Sequence, residues 1–196
     1  MRKTGVIFAS LLLLIPCTVG GCAQPMPAEG VTPKPEVPAG DGEASLVITS
    51  SAFAYGAEIP LKYSCDGQNV SPPLAWGEGP AATASFALIV DDPDAPSGVF
   101  THWVIFNLPP DTRSLPEAVS ADATLASGAL QGENGRGDIG YRGPCPPSGS
   151  PHHYCFSLYA LDKSLNLAAG ASEEQLLQAM QGHILAQSQL VGLYQR

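Results

Sequence analysis

Positive charge is scarce in this chain. Nine Lys and Arg stand against 18 Asp and Glu in 196 residues, a net charge of −9, and no basic run follows the opening Arg2–Lys3. A surface of that sign repels phosphate backbones and anionic lipid alike, which argues against nucleic acid as a partner and against electrostatic docking on a membrane. Long apolar runs are missing as well. The run Val6–Ile15 falls short of the ~20 residues that span a bilayer. Helical periodicity is convincing only once, and no internal repeat is visible. No histidine pair is spaced H-x-x-x-H or H-x-H, so a metal enzyme has no signature beyond a scattered two-histidine, one-carboxylate set. "PSGSP" (147–151) lacks the G-x-S-x-G elbow of a serine hydrolase.

What is present begins with an export signal. Arg2 and Lys3 precede the apolar run, and small residues lead to Cys22 in "VGGC", which resembles a bacterial lipobox. Residues 1–21 are therefore expected to be removed and Cys22 to carry lipid, anchoring the protein to the cell envelope as its sole tie to a membrane. Loss of Arg2 and Lys3 leaves 7 basic against 18 acidic residues, a net −11. With Cys22, the stretch 23–44, which holds five prolines and almost no apolar mass, is expected to form a flexible tether (22–44). Residues 45–196 suffice for one domain with a sizeable core. They hold Cys65, Cys145 and Cys155. In an oxidising compartment an odd count means one disulfide and one thiol, or three thiols. Cys65 and Cys145 sit in turn-rich loops and Cys155 in an apolar strand pattern, which favours Cys65–Cys145, with the other two pairings open.

Short β-type runs recur between turn signals: 45–51, 84–92, 101–108, 153–161 and 189–195. Each is rich in Val, Ile, Phe or Tyr. "FALIV" (86–90) is apolar throughout, as in a strand covered on both faces. The one helix is expected to start at Ser172, with Gln175 completing a capping box and Leu176, Leu177, Met180 and Ile184 on one face. Strands plus one late helix predict a mostly β fold, an antiparallel two-sheet sandwich with a peripheral C-terminal helix.

Three of the four histidines fall in two proline-rich stretches, "DDPDAPSGVFTHWVIFNLP" (91–109) and "GPCPPSGSPHHY" (143–154). Together they resemble the two signature regions of the phosphatidylethanolamine-binding protein (PEBP) family, also called Raf kinase inhibitor protein-like. "SCDGQNVSPPLAW" (64–76) and the ending 183–196 are similar to its bacterial and archaeal branch. The resemblance covers Leu46 to Arg196. It implies a β-sandwich with a small anion pocket at one end, built from Asp92, His102, His152 and Tyr154, with Ala95, Pro96 and the 143–147 segment, Gly143 and Pro146 included, as walls. The middle residue of the family's H-x-Y motif is usually arginine and is His153 here, and Pro151 stiffens the preceding turn.

The chemistry fits those residue types. A carboxylate near two imidazoles favours their charged forms, giving N–H donors beside a phenol, suited to phosphate or a phospholipid head group. On this reading Asp92 braces His102, while His152 and Tyr154 close the opposite wall and Asp94 braces its own turn. His153 and His183 read as surface residues, Trp76 and Trp103 as core or pocket wall. The expected function is non-catalytic binding without a cofactor. The alternatives are a protein inhibitor of a protease or kinase acting through the pocket rim, or, less favoured, a metal-dependent or hydrolytic enzyme using Ser148, Ser150 or Cys145. No protein partner leaves a motif.

Overall fold

The computed structural model describes residues 46–196; the expected export signal, the expected lipidation at Cys22 and the expected tether fall on residues outside the described ones. The elements are β1 (Ile48–Thr49), β2 (Leu74–Trp76), β3 (Ser85–Asp92), β4 (Phe100–Leu108), β5 (Ser114–Leu115), β6 (Leu130–Gln131), β7 (His152–Leu161), α1 (Glu173–Met180) and β8 (Ile184–Tyr194). They form two antiparallel sheets, ordered β6-β4-β3-β7-β8 and β1-β2-β5. The mostly β, two-sheet expectation with one helix holds.

The unbroken apolar run of β3 accounts for its central place. Phe86, Leu88 and Val90 enter one core with Ile48, Leu74, Trp76 and Leu115 of the small sheet. Ala87 and Ile89 enter a second core with Leu165 and with Leu176 and Met180 of α1. β4 and β7 take the two edges of β3, so the strand is covered on every side.

Helix α1 begins where capping chemistry predicts. Ser172 Oγ accepts from the Gln175 N–H at 3.3 Å and Gln175 Oε1 accepts from the Ser172 N–H at 3.0 Å, satisfying two orphan donors of the first turn. Leu176 and Met180 are fully buried, each such side chain contributing about 1.5–3 kcal/mol. Leu177 and Ile184, expected on the same face, are instead exposed. Gly182, at φ +77°, turns the chain after Met180, and Ile184 opens β8 opposite Leu161. β8 thus starts at Ile184 rather than Gln189 because its first half lies open to solvent and carries no apolar alternation. The short strands β2, β5 and β6 fall below the length at which period-2 patterning shows.

Antiparallel pairing brings distant parts of the chain to one place. The end of β3, the starts of β4 and β7 and the end of β8 all meet at one end of the large sheet, where Asp92 pairs with Phe100 and His152 with Tyr194.

Candidate functional site

A cavity of about 180 Å³ lies at this end, lined by Asp92, Ala95, Pro96, Ser97, Phe100, His102, Arg136, Arg142, Cys145, Pro146, Pro147 and His152. A β-bulge delivers His102 to it. Val90 pairs with Trp103 but Asp91 pairs with Thr101, so His102 is the extra residue. Regular alternation would set its ring on the Val104 face; bulges re-aim side chains, and here the imidazole stands edge-on to Tyr154, in the other core, at 5.1 Å, and to Phe100 at 4.9 Å. Arg142 clamps the residue from both directions. His102 Nδ1 lies 2.7 Å from the Arg142 carbonyl, and the Arg142 N–H donates to the His102 carbonyl at 2.9 Å. A carbonyl accepts only, so the proton sits on Nδ1 and Nε2 is the ring nitrogen left over.

Burial holds the His102 imidazole below the ordinary histidine value. The Arg142 carbonyl and the charge of Asp92 oppose that shift, and the Arg142 guanidinium adds to it. The expectation that Asp92 raises both histidines is therefore corrected at His102, where desolvation outweighs the carboxylate and the ring is mostly neutral at pH 7.

His152, the first residue of β7, meets Asp92 directly. Its Nδ1 lies 2.8 Å from Asp92 Oδ2, while Asp92 Oδ1 accepts from the Asp94 N–H at 2.9 Å. Both carboxylate oxygens of this buried residue are committed. Asp92 thus braces His152, not His102, and it is Asp92 that closes the turn expected of Asp94. Asp94 reaches across to β7, where Oδ2 accepts from the His153 N–H at 2.8 Å and meets His153 Nδ1 at 2.7 Å. The His153 N–H is the main cause of a depressed Asp94 carboxyl. His153 and His183 are surface residues paired with Asp94 and Asp162.

Two expected site residues stand behind the cavity rather than on its wall. Tyr154 is buried, and its hydroxyl has no hydrogen-bond partner of good geometry among the described residues. Burial first, then Asp92, pushes the phenol pKa upward, so it remains a donor. Gly143 serves close packing: a Cβ there would lie 2.3 Å from the Tyr63 carbonyl oxygen, and its N–H donates to Asn69 Oδ1 at 2.7 Å. The loop it touches is also held by the Cys65–Cys145 disulfide, Cα–Cα 5.4 Å, so Cys145, Pro146 and Pro147 form a fixed wall. Cys155 is a half-buried thiol on β7. Trp76 and Trp103 are core; the Trp103 indole N–H donates to Gln131 Oε1 at 2.7 Å. Among the described residues no three His, Cys, Asp or Glu side chains are grouped so as to hold a metal ion.

The sequence reading missed Ser97, Phe100, Arg136 and Arg142. Arg142 had a usable signal, a cation directly before the Gly–Pro wall in a chain poor in cations. Arg136 had none, since it arrives on a turn between Asn134 and Asp138.

Residues 49–195 match the family model described as phosphatidylethanolamine-binding protein. The chain belongs to the PEBP family. A UPF0098 protein of Methanothermobacter thermautotrophicus is 54% identical over 149 residues, covering 76% of this chain and 98% of its own. The Mycobacterium tuberculosis protein named "Putative lipoprotein LppC" is 38% identical over 205 residues, spanning 100% of this chain and 98% of its own. Among solved structures, the Chlamydia trachomatis PEBP homologue CT736 superposes with a TM-score of 0.71 at 44% identity, covering 78% of this chain and 98% of its own. Escherichia coli YbcL, described as a new member of the mammalian PEBP family, gives 0.73 at 32% identity, with 78% and 99% covered. In each of these structural pairs the PEBP fold accounts for nearly the whole of the neighbour's chain.

Proposed function

We propose that this PEBP-family member is a non-catalytic binding protein whose cavity takes a small phosphate-bearing anion, and that a lipid on Cys22 holds it at the cell envelope. One observation carries the first part: His102, His152, Arg136 and Arg142 surround a cavity whose single lining carboxylate, Asp92, is already bonded on both oxygens. The guanidiniums supply N–H donors to such a hollow, and His102 Nε2 becomes one when a bound anion draws a proton onto the ring, the complement of phosphate or carboxylate oxygens. Covalent chemistry finds less support. Cys145 is in a disulfide, and among the described residues no hydroxyl or thiol is hydrogen-bonded to His152, whose side-chain partner is Asp92, so the nucleophile–base pair that acyl transfer needs is not assembled. For anchoring, the support is "VGGC" together with the full-length similarity to a protein named as a lipoprotein.

Titration calorimetry with inorganic phosphate tests the pocket. His102→Ala and His152→Ala are each expected to weaken binding about tenfold or more, the loss of one charge-assisted hydrogen bond; affinity indifferent to both would make the constellation structural. For the anchor, Cys22→Ser is expected to release the protein from the membrane fraction, and an unmodified Cys22 in mass spectrometry of the wild type would reject lipidation.

A further inference from the structure

We propose that Arg136 and Arg142 make the cavity selective for the dianionic end of a phosphomonoester, against the zwitterionic diester of an ethanolamine-type phospholipid. The inference rests on the anion reading above and narrows it to a ligand class. Both arginines line the cavity, and among the described residues neither forms an ion pair, in common with Arg113 and Lys163 and unlike Lys62 and Arg196, which are paired with Glu117 and Asp66. Two guanidiniums left without a carboxylate beside a cavity, in a chain carrying −9 overall, are an arrangement that an incoming anion completes.

An ammonium group finds the opposite. Asp92 is the only Asp or Glu in the lining, and it is 4% exposed with Oδ2 on His152 and Oδ1 on the Asp94 N–H. The ethanolamine end of a zwitterion would enter next to two positive charges with no free carboxylate to pair it, so its desolvation is offset less well than that of an anion. The phosphoryl ends differ too. A monoester offers three unesterified oxygens and two negative charges to the forked guanidinium donors, a diester only two oxygens and one charge.

The main chain of both arginines is fixed by hydrogen bonds. Arg142 is locked to His102 by its N–H and carbonyl. Arg136 sits on a turn in which Asn134 Oδ1 accepts from the Arg136 N–H at 2.9 Å and the Asp138 N–H at 3.3 Å. Gly135 lets that turn lie on the cavity wall, since a Cβ there would be 2.7 Å from the Phe100 ring. About 180 Å³ accommodates a phosphoryl group and a compact substituent against Phe100, Pro96 and Pro146.

Calorimetry on the full chain in non-ionic detergent at pH 7.5 compares inorganic phosphate, phenyl phosphate and glycerophosphoethanolamine, for the wild type, Arg136→Gln and Arg142→Gln. Phenyl phosphate is expected to bind about tenfold or more tightly than glycerophosphoethanolamine. Each substitution is expected to cost about tenfold for phenyl phosphate and no more than about twofold for the diester, one charge-assisted contact being lost. Equal or tighter binding of glycerophosphoethanolamine by the wild type, or a preference that survives both substitutions, overturns the selectivity while leaving the anion pocket standing. Failure of all three ligands to bind the wild type overturns the anion pocket itself.

Discussion

On the β4 side of the cavity a histidine is pinned by a backbone carbonyl; on the β7 side another is pinned by a carboxylate. His102 owes its place to a bulge and to Arg142, partners that fix its tautomer without contributing a full negative charge at the bond. Burial then decides its protonation. His152 owes its place to Asp92, a buried charge that must keep its partners or become costly. One residue type, set beside one cavity, is thus positioned by backbone geometry on one wall and by a carboxylate on the other. The β4 wall is expected to tolerate side-chain changes around it, and the β7 wall to fail when one group is lost.

The largest effect is expected where the β7 wall is stapled. Replacing Cys65 and Cys145 together by serine opens a loop of sequence separation 80, which chain entropy values at roughly 4 kcal/mol of stability. Urea denaturation reads it directly, and a loss under ~1 kcal/mol would show that Gly143–Asn69 packing alone fixes the wall. Next comes Asp92→Ala. It strips the acceptor from both His152 Nδ1 and the Asp94 N–H, and a loss of about 3 kcal/mol is expected by the same measurement. A smaller loss than that of His102→Ala would invert the contrast between the two walls.

The pH dependence of the β4 wall ranks third in size. The folded His102 value lies below the ordinary 6.5, so between the two the unfolded chain binds a proton that the folded chain refuses. Stability from this group is fully present above 6.5 and is lost as pH falls from there to the folded value, at no more than about 1.4 kcal/mol per pH unit. Unfolding at pH 7.5 and 5.5 should show that decline, and His102→Asn should flatten it. Phosphate binding near pH 7 should correspondingly take up protons, visible as calorimetric enthalpies that vary with buffer. The smallest effect is expected at the rim. Asp94→Ala removes a half-exposed link to His153 and should cost less than ~1 kcal/mol; a larger loss would mean that the rim carries part of the wall.

Legibility from the sequence tracked how local the determining physics is. β3, β4 and β7 were readable because their apolar runs are continuous, and α1 because its capping box lies within four residues. The clustering of Asp92, His102 and His152 was readable from motif order and the family resemblance. The identity of Asp92's partner was not, since both histidines lie within reach on paper and only the bulge at His102 turns one away. A bulge is a property of two strands at once, and neither strand's sequence announces it. Arg136 was missed and Gly143 misplaced for the same reason: what each touches, the cavity beside Phe100 or the carbonyl of Tyr63, lies far off along the chain.

The meeting of strand ends at the cavity also bears on timing. Asp92 and His102 share a hairpin of adjacent strands, whereas His152 reaches Asp92 across a separation of 60 residues. Local pairings form early and distant ones late, because each long loop must be closed before its contacts are gained. A nascent chain would therefore possess half a cavity while the β7 pairing is still to come, and an anion able to touch both halves would bind only the finished molecule. Ligand binding at this site then serves as a readout of completed folding, and excess ligand would retain chains in that state by mass action.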